Sequence, residues 1–191
     1  MGTEVVGVFG GSFNPPHVGH VLAAAYALAV HAIDRVLVVP VYHHPFRKEL
    51  APFQHRVAMA ELAMAELAGV AVSAIERELD GEGRTLHTLE ALAAREPGWR
   101  MRLIVGADVL ADRDKWHRFE RVEALAPLIV LGRAGFRERE APAPLLPEVS
   151  STAIRAALAA GERARIVELV PKRVLAYIEA HGLYRAADSG A

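Results

Sequence analysis

The sequence predicts an α/β fold: a doubly wound parallel sheet of five or six strands, with a small C-terminal helical segment. Two observations carry this prediction. Short apolar runs alternate with stretches of helical periodicity from Val5 to Leu131, the rhythm of strands joined by right-handed helical crossovers. The strand runs are also apolar without interruption, as expected where helices cover both faces of a parallel sheet.

Val5, Val6, Val8 and Phe9 form the first strand, which ends in Gly10-Gly11 and a Pro-containing loop. A helix from Val18 to His31 follows. Its Val18, Leu22, Ala25, Tyr26 and Ala29 recur at helical spacing, so this face is expected to lie on the sheet. Val36 to Val39 is a second buried strand, stopped by Pro40. The pattern then repeats, with helices over 52–67, 85–95 and 119–126 and strands over 70–75, 101–105 and 128–131. From Arg133 to Pro147 the chain turns to Gly, Pro and alternating charge, which do not build a core and mark an exposed connection. Three short helices are expected beyond it, over 151–160, 163–169 and 171–181. Pro171 suits a first helical position, and Gly182-Leu183 suits a left-handed stop with an apolar contact. The expected organisation is a core over 1–150, a helical segment over 151–185 that completes the same domain, and a frayed tail over 186–191.

Composition narrows the function classes. The 191 residues carry 22 Lys+Arg against 23 Asp+Glu, a net charge of -1. That balance argues against coating nucleic acid or an anionic membrane through the overall field, so any polyanion must be met locally. With no cysteine, disulfides, thiolate catalysis and Cys-ligated metal sites are excluded, which suits the cytoplasm. Nine histidines keep other metal chemistry open. No apolar run reaches the roughly 18–20 residues of a bilayer span, since Asp34 and Arg35 interrupt the most suggestive stretch. The first residues lack the basic-then-apolar pattern of a secretory signal.

Two segments can carry chemistry. The first is Gly10-Gly11-Ser12-Phe13-Asn14-Pro15-Pro16-His17-Val18-Gly19-His20, between the first strand and the first helix. Glycines let backbone approach a ligand closely, and amides at a helix start attract anions. It is neither a Walker loop nor Gly-x-Gly-x-x-Gly. Instead it offers His17 and His20, three apart on an opening helical turn, with Gly19 between them keeping the approach clear. Spacing alone leaves three readings of the pair: phosphate contact, loop packing, or a metal site that still wants a third ligand. The second segment is Val149-Ser150-Ser151-Thr152-Ala153-Ile154-Arg155, a strand-like end opening into a helix. Ser and Thr there serve equally as helix caps or as ligand hydroxyls. Arg155 stands three and four residues after Thr152 and Ser151, so its guanidinium shares their face and suits polyphosphate oxygens.

Together these segments resemble the nucleotidyltransferases of the HxGH superfamily, and within it the chain resembles bacterial nicotinate-nucleotide adenylyltransferases. The similarity runs from about residue 5 to Tyr184. It includes Gly106-Ala107-Asp108, Trp116, Gly132-Arg133-Ala134-Gly135, Leu169-Val170-Pro171, Tyr177-Ile178 and Gly182-Leu183-Tyr184. The resemblance implies a Rossmann-like domain in which the 5′-phosphate of a pyridine mononucleotide attacks the α-phosphorus of ATP and releases pyrophosphate. It implies that His17, His20 and Arg155 are catalytic. ATP would be held by Gly10, Gly11, Ser12, Phe13, Gly19, Gly106 and Asp108, together with Ser151, Thr152 and Arg155 on the β- and γ-phosphates. Asp108 would reach the ribose, although by itself it reads equally as a helix cap. Mg²⁺ would be carried by the ATP phosphates and water, with no protein metal site. The acceptor would meet Thr85, Trp116, His117, Arg133 and a cation that is either Arg47 or Lys48. Trp116 sits among charged residues, a poor setting for a core aromatic, and so suits stacking on a flat ring. Enzymes of this kind are often dimers or larger, so a homo-oligomer is a further expectation.

Three departures fall around the acceptor. The family's Pro-Pro-His-Lys is here His44-Pro45-Phe46-Arg47, its Ser-Tyr-Thr falls on Gly83-Arg84-Thr85, and a Tyr after the pocket Trp is replaced by His117. The alternatives are a related adenylyl- or cytidylyltransferase acting on nicotinamide mononucleotide or phosphopantetheine, and a nucleotide-binding regulator without turnover.

Overall fold

The computed structural model describes residues 3–43, 50–79, 84–108, 113–132 and 146–185. Among the described residues five strands form one sheet: β1 (Glu4–Gly11), β2 (Arg35–Pro40), β3 (Val70–Val72), β4 (Trp99–Gly106) and β5 (Leu128–Leu131). Their order is β3-β2-β1-β4-β5, and every pairing is parallel. The chain winds outward from β1 through β2 to β3, then crosses back to β4. The reversal therefore lies between β1 and β4, where sheets of this kind open a crevice beyond the carboxyl ends of their strands.

Period-two alternation sorts the apolar residues of each strand onto two faces. Val6, Val8, Leu37, Val39, Leu103 and Val105 meet Leu86, Leu89 and Leu92 of α3 (Thr85–Arg95) and Val122 of α4 (Phe119–Leu125). On the opposite face Phe9, Val36, Val38, Ile104 and Ile129 meet Ala23, Ala24 and Ala27 of α1 (Val18–Val30) and Ala60 and Met64 of α2 (Phe53–Met64). A third cluster joins α2, through Met59 and Ala63, to Ile154 and Ala157 of α5 (Ser151–Ala159) and Val174, Leu175 and Ile178 of α6 (Lys172–Ala180). The C-terminal helices thus reach the sheet through α2. Gly182 adopts φ 61° and Leu183 packs into this third cluster, as the left-handed stop requires.

The structure corrects three local expectations. Strand β3 ends at Val72 and not near residue 75: Ser73 N–H donates to Val38 at 2.8 Å, then Ile75–Glu78 forms a 3₁₀ turn in which Ile75 N–H donates to Ser73 Oγ. The helix expected over 163–169 is only a 3₁₀ turn over Arg163–Arg165, although Ile166 and Val170 are still buried. On α1 the buried residues are Gly19, Ala23, Ala24 and Ala27, while Leu22 is 48% exposed. In so alanine-rich a helix, side-chain size and not hydropathy selects the packed face, and the smallest side chains let it approach the sheet. The connection over 133–145 and the tail over 186–191 lie outside the described residues. Among the described residues, no helix is long and apolar enough to cross a membrane.

Candidate active site

The carboxyl ends of β1 and β4 open onto a cleft of about 700 Å³, at the point where the winding reverses. Gly10, Gly11, Ser12, His17, Gly19 and His20 line one side of it. Gly106, Asp108, Thr85, Trp116 and His117 line the other, joined by Arg84 and Lys115. Most residues expected to bind ATP therefore share one cavity with Thr85, Trp116 and His117, while Phe13, Ser151, Thr152 and Arg155 are not among its lining residues.

The loop after β1 is tightly built. Asn14, Pro15, Pro16 and His17 are buried, and Phe13 is buried at φ 46°, in the left-handed region. Phe13 packs edge-on to Phe9 at 5.6 Å and lies 4.9 Å from the His20 ring, so it belongs to the core and supports a histidine. The His17 and His20 rings lie 3.9 Å apart at 37°. His17 N–H donates to His20 Nδ1 at 3.1 Å. A neutral imidazole that accepts at Nδ1 carries its proton on Nε2, so His20 is held in the tautomer that offers an N–H donor. Gly19 has a steric reason to be glycine: an added Cβ would stand 3.1 Å from two atoms of the His17 ring and displace it. At Gly106 an added Cβ would collide with the Asp108 carboxylate, so the side chain of Asp108 folds back over the end of β4.

The second segment docks on the first. Ser150 caps α5, its side chain accepting from Ala153 N–H at 3.1 Å. Ser151 Oγ donates to the Pro15 carbonyl at 2.9 Å, and Arg155 Nη1 donates to the Asn14 carbonyl at 2.7 Å, with Nη2 reaching Thr152 Oγ1 at 3.4 Å. Ser151 therefore spends its proton on the loop. Arg155, with five donors on its guanidinium, keeps further N–H groups for a ligand. Val18 N–H donates to the Leu169 carbonyl at 2.9 Å, so the start of α1 is also tied to the C-terminal segment.

Trp116 is half-buried, edge-on to Phe119 at 5.9 Å, and packs against the α3 face of the core while lining the cleft. Its charged neighbours in sequence gave a misleading picture of its setting. His117 is exposed, with its ring 6.2 Å from that of His87. Arg47, Lys48 and Arg133 lie outside the described residues.

Four residues to which the sequence assigned no role hold this arrangement together. Asn14 is 1% exposed; its Oδ1 accepts from Ala51 N–H at 3.1 Å and from the Tyr184 hydroxyl at 2.7 Å. Burial pushes the Tyr184 phenol above its ordinary range, with Arg155 and Arg56 pulling the other way, so it stays a donor. Arg56 and Glu76 are buried charges on the same side. For Arg56 a signal existed: it falls on the apolar stripe of α2, three and four residues before Met59 and Ala60.

A crevice at a sheet reversal, paired histidines on a helix start and a helix-borne arginine define a nucleotidyltransferase class of site. The cytidylyltransferase-like family model matches residues 8–157, and the chain belongs to that family. Within it, the chain groups with the nicotinate-nucleotide adenylyltransferases. A relative so named from Anaeromyxobacter dehalogenans (strain 2CP-C) is 51% identical over 96% of this chain and 98% of its own. Another from Myxococcus xanthus is 47% identical, over 94% of each chain. Among solved structures, the Plasmodium falciparum nicotinic acid mononucleotide adenylyltransferase complexed with NaAD shares the fold with a TM-score of 0.79 at 19% identity, covering 95% of this chain and 97% of that one.

Proposed function

We propose that the cleft transfers the adenylyl group of ATP to nicotinate mononucleotide, forming nicotinate adenine dinucleotide and pyrophosphate. The observation that carries this reading is the junction of the two phosphate segments. The Arg155 guanidinium docks on the loop that leads into the His17–His20 turn, and His17 and His20 line a cleft that Trp116 also lines. The names of the full-length relatives supply the choice of acceptor.

The chemistry is one displacement. A phosphate oxygen of the mononucleotide forms a bond to the α-phosphorus of ATP, the bond from that phosphorus to the bridging oxygen breaks, and pyrophosphate leaves with the electron pair. No covalent enzyme intermediate is needed, so catalysis is alignment plus stabilisation of developing charge. His20, held with its proton on Nε2, donates to an oxygen of the α-phosphate as negative charge builds there, and His17 lies beside it. Backbone at Gly10, Gly11, Ser12 and Phe13 lets the triphosphate approach closely, and the Phe13 ring supports His20. Arg155 neutralises the leaving pyrophosphate, with Thr152 beside it; Ser151 fixes the helix to the loop. Asp108 serves the adenosine ribose, Thr85, Trp116 and His117 wall the pyridine ring, and Arg133 and one of Arg47 and Lys48 are assigned to acceptor binding through the resemblance. Among the described residues no three His, Asp or Glu side chains converge as a metal cage. By the resemblance, Mg²⁺ would be carried on the triphosphate and water, where it would lower the phosphate charge. The reading places the protein in the cytoplasm.

The test is an acceptor panel. Purified protein with Mg²⁺ and ATP or CTP is given nicotinate mononucleotide, nicotinamide mononucleotide or phosphopantetheine in turn. The expected result is equimolar dinucleotide and pyrophosphate with ATP and nicotinate mononucleotide. Faster turnover with another pair reassigns the acceptor, and ATP binding with no pyrophosphate from any pair makes the protein a nucleotide-binding regulator.

A further inference from the structure

Arg56 stands in the first turn of α2 and is 1% exposed. Its guanidinium is spent on backbone carbonyls. Nε donates to Ala51 at 2.9 Å, Nη1 to Ser12 at 3.0 Å and to Val41 at 2.7 Å, and Nη2 to Tyr42 at 3.3 Å. Burial lowers its pKa from the ordinary guanidinium value, and the more distant Tyr184 and Glu76 act in the opposite direction.

A helix packed on a sheet does not need this. An apolar side chain of similar volume would fill the space without the cost of desolvating a charge. What an apolar side chain cannot do is join separate stretches of backbone. The Ser12 carbonyl belongs to the loop after β1 that carries the phosphate-side residues. Val41 and Tyr42 leave the end of β2, and Val41 N–H also donates to Gly11 at 2.9 Å. Beyond Tyr42 the network continues: Tyr42 N–H donates to Glu76 Oε2 at 3.3 Å, and Thr88 Oγ1 of α3 donates to Glu76 Oε1. Glu76 and Thr88 line the cleft, and α3 begins with Thr85 on the acceptor wall. One polar chain therefore runs beneath the cleft from the ATP loop to the acceptor wall, with Arg56 as its branching member. Only the planar fork of an arginine reaches these carbonyls together; the single nitrogen of a lysine does not.

We propose that Arg56 is a positioning residue for the transfer. It holds the loops after β1 and β2 at a fixed separation, so that the nucleophilic phosphate and the α-phosphorus meet in line. This rests on the adenylyl-transfer reading above, and it assigns Arg56 no contact with substrate.

The test compares wild type with Arg56→Lys and Arg56→Met. Thermal midpoint is measured, ATP-binding sites per chain are counted by equilibrium dialysis with a non-hydrolysable ATP analogue, and kcat is expressed per binding site. Misplacing reacting groups by an ångström costs on the order of 100-fold in rate, so kcat per site in Arg56→Lys is expected to fall by about that factor, with analogue affinity within about threefold. Arg56→Met is expected to fall at least as far. A purely structural role gives the opposite split: fewer or no analogue-binding sites, with kcat per remaining site unchanged. That split, or a kcat per site within about twofold of wild type in Arg56→Lys, overturns the proposal. Absence of turnover in the wild type overturns the adenylyl-transfer reading instead, so the two failures are distinguishable.

Discussion

His20→Ala is expected to lower kcat by about 10²- to 10³-fold, the usual cost of removing one preorganised donor from a transition-state oxyanion. Two features of the structure set this expectation. The His17 amide fixes the His20 tautomer by donating to Nδ1 at 3.1 Å, so the Nε2–H is oriented before substrate arrives. The ring is also held from the other side by Phe13 at 4.9 Å and Phe9 at 6.1 Å, which restrict its motion. Charge on the α-phosphate oxygens grows most in the transition state, so the loss belongs in kcat more than in the Michaelis constant for either substrate. The fold should survive, because His20 is half-buried and the aromatic contacts it surrenders are worth only about 1 kcal/mol. Circular dichroism and the thermal midpoint check this independently of rate. An ordinary kcat in the folded variant would remove His20 from the catalytic set.

Arg155→Ala is expected to lose on the order of 10³-fold in kcat/KM for ATP, comparable with loss of other arginines that neutralise a transferring phosphoryl group. The signature is sharper in reverse. If Arg155 faces the leaving group, then in synthesis of ATP from nicotinate adenine dinucleotide and pyrophosphate the Michaelis constant rises for pyrophosphate and stays nearly constant for the dinucleotide. Arg155→Lys should recover little, since one ammonium cannot hold the Asn14 carbonyl at 2.7 Å and also present a fork to phosphate oxygens. Equal increases for both reverse substrates would mean that Arg155 matters only as a brace on the loop.

Much of the fold was legible because a parallel sheet covered on both faces turns its strands into uninterrupted apolar runs, as at Val36 to Val39. The reversal of winding could not be read locally, since it depends on β4 returning to the side of β1 opposite β2. The two phosphate segments were legible because close approach and anion contact restrict residue type. The bracing beneath them was not. Arg56 and Glu76 carry side chains that usually face water, and only the three-dimensional path of three loops shows why they are buried. Asn14 and Tyr184, 170 residues apart, share a hydrogen bond that no local pattern encodes. The α1 face was misread because its run of alanines gives hydropathy no contrast, so the packed side was decided by volume.

The central claim is a single in-line displacement on the α-phosphorus by groups aligned in advance. It is tested most directly by transfer from one α-thio diastereomer of ATP to nicotinate mononucleotide, with the configuration at phosphorus determined in the dinucleotide product. One displacement predicts inversion. Retention would require two displacements through an adenylylated side chain, and would contradict the account.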